Sequence, residues 1–121
     1  MKAKTVSLGS HLTAGHKVWL DWDGDFLMCP RSLHFLAAVE SAGTIRAGGE
    51  KVGWSYRTCL NRLRQMERVL GFRVLATTRG GPEGGGARLT PEARTLVKVF
   101  ARWHRQVDAS SQRAFRRLIK G

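Results

Sequence analysis

Two helix stop-and-start signals, Gly43-Thr44 and Gly53-Trp54-Ser55, stand ten residues apart in the middle of this sequence. A glycine just past a helix ends it, and a Thr or Ser hydroxyl satisfies the free N–H groups that open the next. The helix between the two signals is therefore short. Before it, Leu33, Leu36, Ala37 and Glu40 recur at helical spacing and predict an amphipathic helix of about twelve residues, started by Pro30. After it, Cys59, Leu60, Leu63, Met66 and Leu70 share one face of a third helix, which Gly71 closes. Three helices joined by tight turns form a helix-turn-helix core.

Strand signals flank this core. Lys17–Trp22 is rich in strand formers, Asp23-Gly24 is a two-residue hairpin turn, and Asp25–Met28 is the return strand. Phe72–Arg79 reads as another strand and Ala87–Leu89 as its partner, with the glycine-rich loop 80–86 between them. Thr90-Pro91-Glu92 then supplies a cap, a first-turn proline and an acid for the positive end of a long helix running to Ile119. Residues 1–16 lack periodicity and read as a mobile N-terminal arm. The expected fold is mainly α with small β: a winged helix-turn-helix with an N-terminal hairpin (17–90), followed by a long C-terminal dimerisation helix (91–121).

Charge narrows the function. The 121 residues carry 21 Lys+Arg against 9 Asp+Glu, a net +12, and Arg outnumbers Lys fifteen to six. Residues 1–30 are neutral, while 31–70 carry +4, 71–90 carry +2 and 91–121 carry +6. The positive charge belongs to the body of the chain, as expected for a partner that is a polyanion. Arginine's planar fork matches phosphates and guanine edges, which favours nucleic acid over an anionic membrane surface. No stretch approaches the roughly 18 apolar residues of a membrane span, and the basic start has no apolar segment for export. Cys29 and Cys59 stand thirty positions apart without a CxxC, and the four histidines lack metal-ligand spacing. Reduced thiols in a bacterial-type cytoplasm, with no metal and no cofactor, are the expectation.

On the third helix Arg57, Asn61, Arg64 and Arg68 form one stripe away from the apolar face, flanked by Tyr56, Thr58, Arg62 and Gln65. Arg and Asn pair bidentately with guanine and adenine edges. Such a stripe alone also suits a plain solvated face; the helix order, the wing and the charge turn the reading toward DNA. The loop from Arg79 to Arg88 is weak as an RGG-type RNA-binding segment, being a single copy, and fails as a P-loop because Ala87 stands where lysine is needed.

The stretch Gly43-Thr-Ile-Arg-Ala-Gly-Gly-Glu-Lys-Val-Gly-Trp-Ser-Tyr-Arg57 resembles the helix-turn-helix of LysR-type and ModE-type regulators. Gly53-Trp-Ser-Tyr-Arg-Thr58, the glycine-rich wing from Arg79 to Thr90 and the Trp19-Leu-Asp-Trp-Asp-Gly24 hairpin are closer to the ModE family of molybdate-responsive regulators. The resemblance covers residues 17–107. It implies that Ser55, Tyr56, Arg57, Arg79 and Arg88 face DNA. Two departures stand out. The chain ends at Gly121 without room for a molybdate-binding module, so oxyanion sensing is not expected. Gly48-Gly49 replaces the alanine usual at one or both positions, at a cost of about 0.8–1 kcal/mol each in a helix interior. The short helix is then either frayed or packed unusually close to its neighbour.

In the last helix Leu96, Phe100, Trp103 and Val107 alternate spacings of four and three, a coiled-coil-like seam for a second copy. Scarce acids and the lack of a Ser/His/Asp or Cys/His grouping argue against an enzyme, with Glu40 and Glu50 reading as surface residues. The sequence therefore predicts a homodimeric, sequence-specific binder of double-stranded DNA that regulates transcription. Its expected DNA contacts are Thr44, Ser55, Tyr56, Arg57, Thr58, Asn61, Arg62, Arg64, Arg79 and Arg88. The alternatives are a nucleoid-type binder without strong sequence preference and an interaction module for a separate effector-sensing subunit.

Overall fold

The computed structural model describes residues 7–78 and 85–120. In chain order these form α1 (Leu8–His11), β1 (Leu20–Trp22), β2 (Asp25–Met28), α2 (Pro30–Ala42), α3 (Ile45–Val52), α4 (Tyr56–Leu70), β3 (Leu75–Thr77), β4 (Ala87–Leu89) and α5 (Pro91–Lys120). The fold is a winged helix-turn-helix with a preceding hairpin and a long C-terminal helix. β1 and β2 pair antiparallel through Trp22↔Asp25 and Asp21↔Phe26, around a turn in which Asp23 and Gly24 both take positive φ. That backbone is what a two-residue hairpin of this twist demands. The wing pairs Leu75↔Leu89 and Thr77↔Ala87.

The sequence signals that set the helix lengths act as anticipated. Gly43 and Gly53 take φ of 82° and 77°, left-handed values that stop α2 and α3. The Thr44 hydroxyl accepts from the Ala47 N–H, and the Ser55 hydroxyl accepts from the Thr58 N–H, both at 3.1 Å. One core joins the elements. Phe35, Leu36 and Val39 of α2, Met28 of β2, Cys59 of α4, Phe100 of α5, and Val74 just before β3 are completely buried in it.

Gly48 and Gly49 are both buried, and close packing rather than fraying explains them. A Cβ on Gly48 would lie 2.4 Å from Val39 Cγ2 and 3.0 Å from the Phe35 carbonyl oxygen. One on Gly49 would lie 2.5 Å from Cys59 Sγ and 2.9 Å from the Trp54 carbonyl oxygen. The glycines let α3 lie directly on α2 and on the start of α4, which fixes where the third helix emerges.

Several sequence expectations are corrected. On α2 the burial falls to Phe35 and Val39 with Leu33 and Leu36, while Ala37 and Glu40 are exposed. α2 is wrapped by α3, β4 and α5, so its buried arc is wider than a single stripe. The first strand begins at Leu20 and not Lys17. The strand expected over Phe72–Arg79 is only Leu75–Thr77. Upstream of it the backbone is already committed elsewhere: Val74 N–H donates to Glu67 Oε2 at 2.8 Å, and Thr90 N–H donates to the Val74 carbonyl. Phe72 instead meets Trp22 edge-on at 6.1 Å.

α5 has thirty residues, about 45 Å at 1.5 Å per residue. Ala93 and Phe100 are its buried residues, both near its start. Phe100 therefore belongs to the chain's own core and leaves the seam proposed for it, and Leu96 packs partly against the same core. Farther along, residues 7–16, expected to belong to a mobile arm, lie against α5: Gln112 Nε2 donates to the Ala14 carbonyl at 3.1 Å, and His16 faces both His104 and Asp108.

Candidate nucleic-acid interface

α4 divides cleanly into two faces. Cys59, Leu63, Met66 and Leu70 are buried, whereas Arg57, Asn61, Arg64 and Arg68 are all exposed. Leu60, expected inside, is half-buried. Ser55 and Tyr56 open the same helix at the surface, with Thr58 half-buried beside them. The Ser55 hydroxyl also donates to Thr58 Oγ1 at 3.0 Å, so these two side chains build the cap as well as the surface. Arg62 leans over the Trp54 ring, 5.7 Å from its centroid, and stands apart from the open stripe.

The wing is tied to the helices by Glu40, expected to be a plain surface residue. Glu40 Oε2 accepts the Leu89 N–H at 2.7 Å, and its other oxygen pairs with Arg94 Nε at 3.3 Å. The Arg94 guanidinium also donates to the Leu89 carbonyl, and Ala87 N–H donates to the Gly43 carbonyl. The Leu89 N–H, with the Arg94 charge behind it, holds the Glu40 carboxyl below the usual range. One carboxylate thus joins α2, the wing strand β4 and α5. No local sequence signal marks it, because its partners lie 49 and 54 residues away.

Between the helices and the wing lies a cleft of about 360 Å³. Thr44, Arg46 and Tyr56 form one wall, and Thr77, Thr78 and Gly86 the other. Arg46, absent from the sequence-based set, lies over the Tyr56 ring at 5.2 Å. Thr44 is half-buried at the cleft's edge and Arg88 is exposed on the wing. Arg79 lies outside the described residues. Of the expected contacts, Thr44 and Tyr56 line the cleft.

The two thiols differ. Burial pushes Cys29 up, but hydrogen bonding from Ser32 and Arg31 and the charge of Arg62 leave it below its ordinary value. Burial pushes the Cys59 thiol up. Among the described residues no group of His, Cys, Asp and Glu could hold a metal ion, and no helix is long and apolar enough to cross a membrane.

Over 65 residues the chain is 35% identical to the molybdenum-pterin-binding protein MopB of Rhodobacter capsulatus. Over 76 residues it is 30% identical to the molybdenum transport protein ModE of Herbaspirillum seropedicae. The DNA-binding transcriptional dual regulator ModE of Escherichia coli K12 matches at 27% over 71 residues. The chain is thus similar in sequence to ModE-named proteins. These matches take in 54%, 63% and 59% of the chain but 24%, 28% and 27% of the relatives, so the chain spans about a quarter of their length. Its fold also superposes on the DNA-binding domain of CbnR, solved in complex with DNA, with a TM-score of 0.57. The identity there is 20%, over 73% of this chain and 95% of that one. No family model matches the chain.

Proposed function

We propose that this protein is a transcriptional regulator that binds double-stranded DNA sequence-specifically, as a homodimer. The observation that carries the reading is the exposed Arg57–Asn61–Arg64–Arg68 stripe, set on a helix whose opposite face is locked in the core. A recognition helix needs this division: an immobile apolar back, and a front of side chains able to read base edges in the major groove. Arg88 on the wing adds a cation for the neighbouring phosphates or minor groove. The net +12 supplies the long-range attraction. Similarity to ModE-named regulators and to a domain solved on DNA supports the same function.

Dimerisation through α5 is part of the proposal. With Phe100 withdrawn into the core, the seam consists of Trp103, 40% exposed, and Val107 beyond it. A helix of this length extends well past the single core that anchors its start.

Titrating a duplex selected from a random pool against an arbitrary duplex, at stepped salt, tests the function. Tighter binding to the selected duplex at every salt is expected. Equal affinities would favour the nucleoid-type alternative, and no binding to either would favour an interaction module.

A further inference from the structure

We propose that the cleft between α3, Tyr56 and the wing seats one backbone phosphate of bound DNA, with Arg46 as its principal ligand. The inference rests on the duplex-binding reading above and adds a site to it. Its chemistry is that of an anion receptor. Among the described residues that line the cleft, Arg46 carries the only charge, and it forms no ion pair with a described carboxylate. The remaining polar groups are hydroxyls and backbone. Thr44 Oγ1 already accepts from the Ala47 N–H, which leaves its own proton to donate outward. α3 begins at this rim, and the N–H groups of Ile45 and Arg46 have no acceptor within the helix.

Arg46 is also held in place. The Tyr56 ring covers one face of its guanidinium at 5.2 Å and leaves the in-plane N–H donors free. A fork restrained in this way loses less freedom on gripping an oxyanion than a solvated side chain does.

Position identifies the source of the anion. In a duplex, one sugar–phosphate strand separates the major groove from the adjacent minor groove. A protein that sets α4 in the first and a wing at the second must straddle that strand. The cleft lies between those two elements, with the first residue of α4 in one wall and Thr77, Thr78 and Gly86 of the wing in the other. The strand that divides the grooves would therefore run through it.

The test compares the unmodified protein with Arg46→Ala and Arg46→Lys on a selected and an arbitrary duplex, and then on selected duplexes carrying one neutral methylphosphonate at successive positions. Arg46→Ala should weaken binding to both duplexes alike, about tenfold, and lower the log–log salt slope by about one. Arg46→Lys, which keeps the charge, should retain the slope. One methylphosphonate position should weaken the unmodified protein while leaving Arg46→Ala unaffected. An unchanged slope for Arg46→Ala, a loss confined to the selected duplex, or the same methylphosphonate profile for both proteins would overturn the phosphate seat while duplex binding stands. Failure of the unmodified protein to bind any duplex would overturn both.

Discussion

Replacing Gly48 with alanine sets two opposed effects against each other. On propensity alone the change should stabilise α3, by about 0.8–1 kcal/mol for a helix interior. Packing opposes it. The new methyl would meet Val39 Cγ2 at 2.4 Å, against the roughly 3.5–4.0 Å at which two carbons attract. It would also stand 3.0 Å from the Phe35 carbonyl oxygen, a backbone atom that cannot rotate away. Val39 and Phe35 are themselves completely buried, so neither has room to yield. Overpacking of this kind costs about 1–3 kcal/mol, and a backbone obstacle puts it in the upper part of that range. The net result should be a loss of about 1–2 kcal/mol, read by urea denaturation at an unchanged m-value. Val39→Ala removes the worst overlap, so the double variant should lose less than the sum of the two single variants by at least about 0.5 kcal/mol. Gly48→Ala at or above parental stability would refute the close approach and leave the glycine as a simple weakness of α3.

Other expectations follow from the interface. Arg57→Ala or Asn61→Ala should each cost about 1–3 kcal/mol on a selected duplex and relax its sequence preference; equal losses on arbitrary DNA would remove them from base reading. Glu40→Ala should destabilise the fold by about 1–2 kcal/mol, since it strips the buried Leu89 N–H of its acceptor, and denaturation would show no change if the latch were idle. The Glu40 carboxyl is held below its ordinary 4.5. Its contribution should therefore be full above that value and fade as pH falls through the lower folded one, a dependence that Glu40→Gln should abolish in acid titrations of stability. Trp103→Glu should shift the protein toward monomers in sedimentation and weaken DNA binding while leaving the fold intact; an unfolded variant would place Trp103 in the chain's own core. N-ethylmaleimide should label Cys29 well before the fully buried Cys59, as peptide mapping would show.

What could be read from the sequence was what local rules govern. Caps and stops at Gly43, Thr44, Gly53 and Ser55 depend on neighbouring backbone alone, and the lengths of α2, α3 and α4 followed from them. The two faces of α4 were legible because one period holds along the whole helix. Long-range pairing was not legible. Glu40 looks like a surface acid until β4 and α5 close on it, and Val74 looks like strand until Glu67 takes its N–H. Arg46 and Tyr56 are ten positions apart on different helices, so nothing periodic joins them. Phe100 falls on the same heptad-like stripe as Trp103, yet only packing distinguishes the residue buried by its own domain from the one left outside.

Selection of bound sequences from a random duplex pool tests the central claim most directly. After several rounds the unmodified protein should enrich one motif arranged as an inverted repeat, matching two copies of α4 related by a two-fold axis. Arg57→Ala should blur defined positions within each half. A pool that stays random while still being retained on the protein would contradict sequence-specific recognition and leave charge alone as the basis of binding.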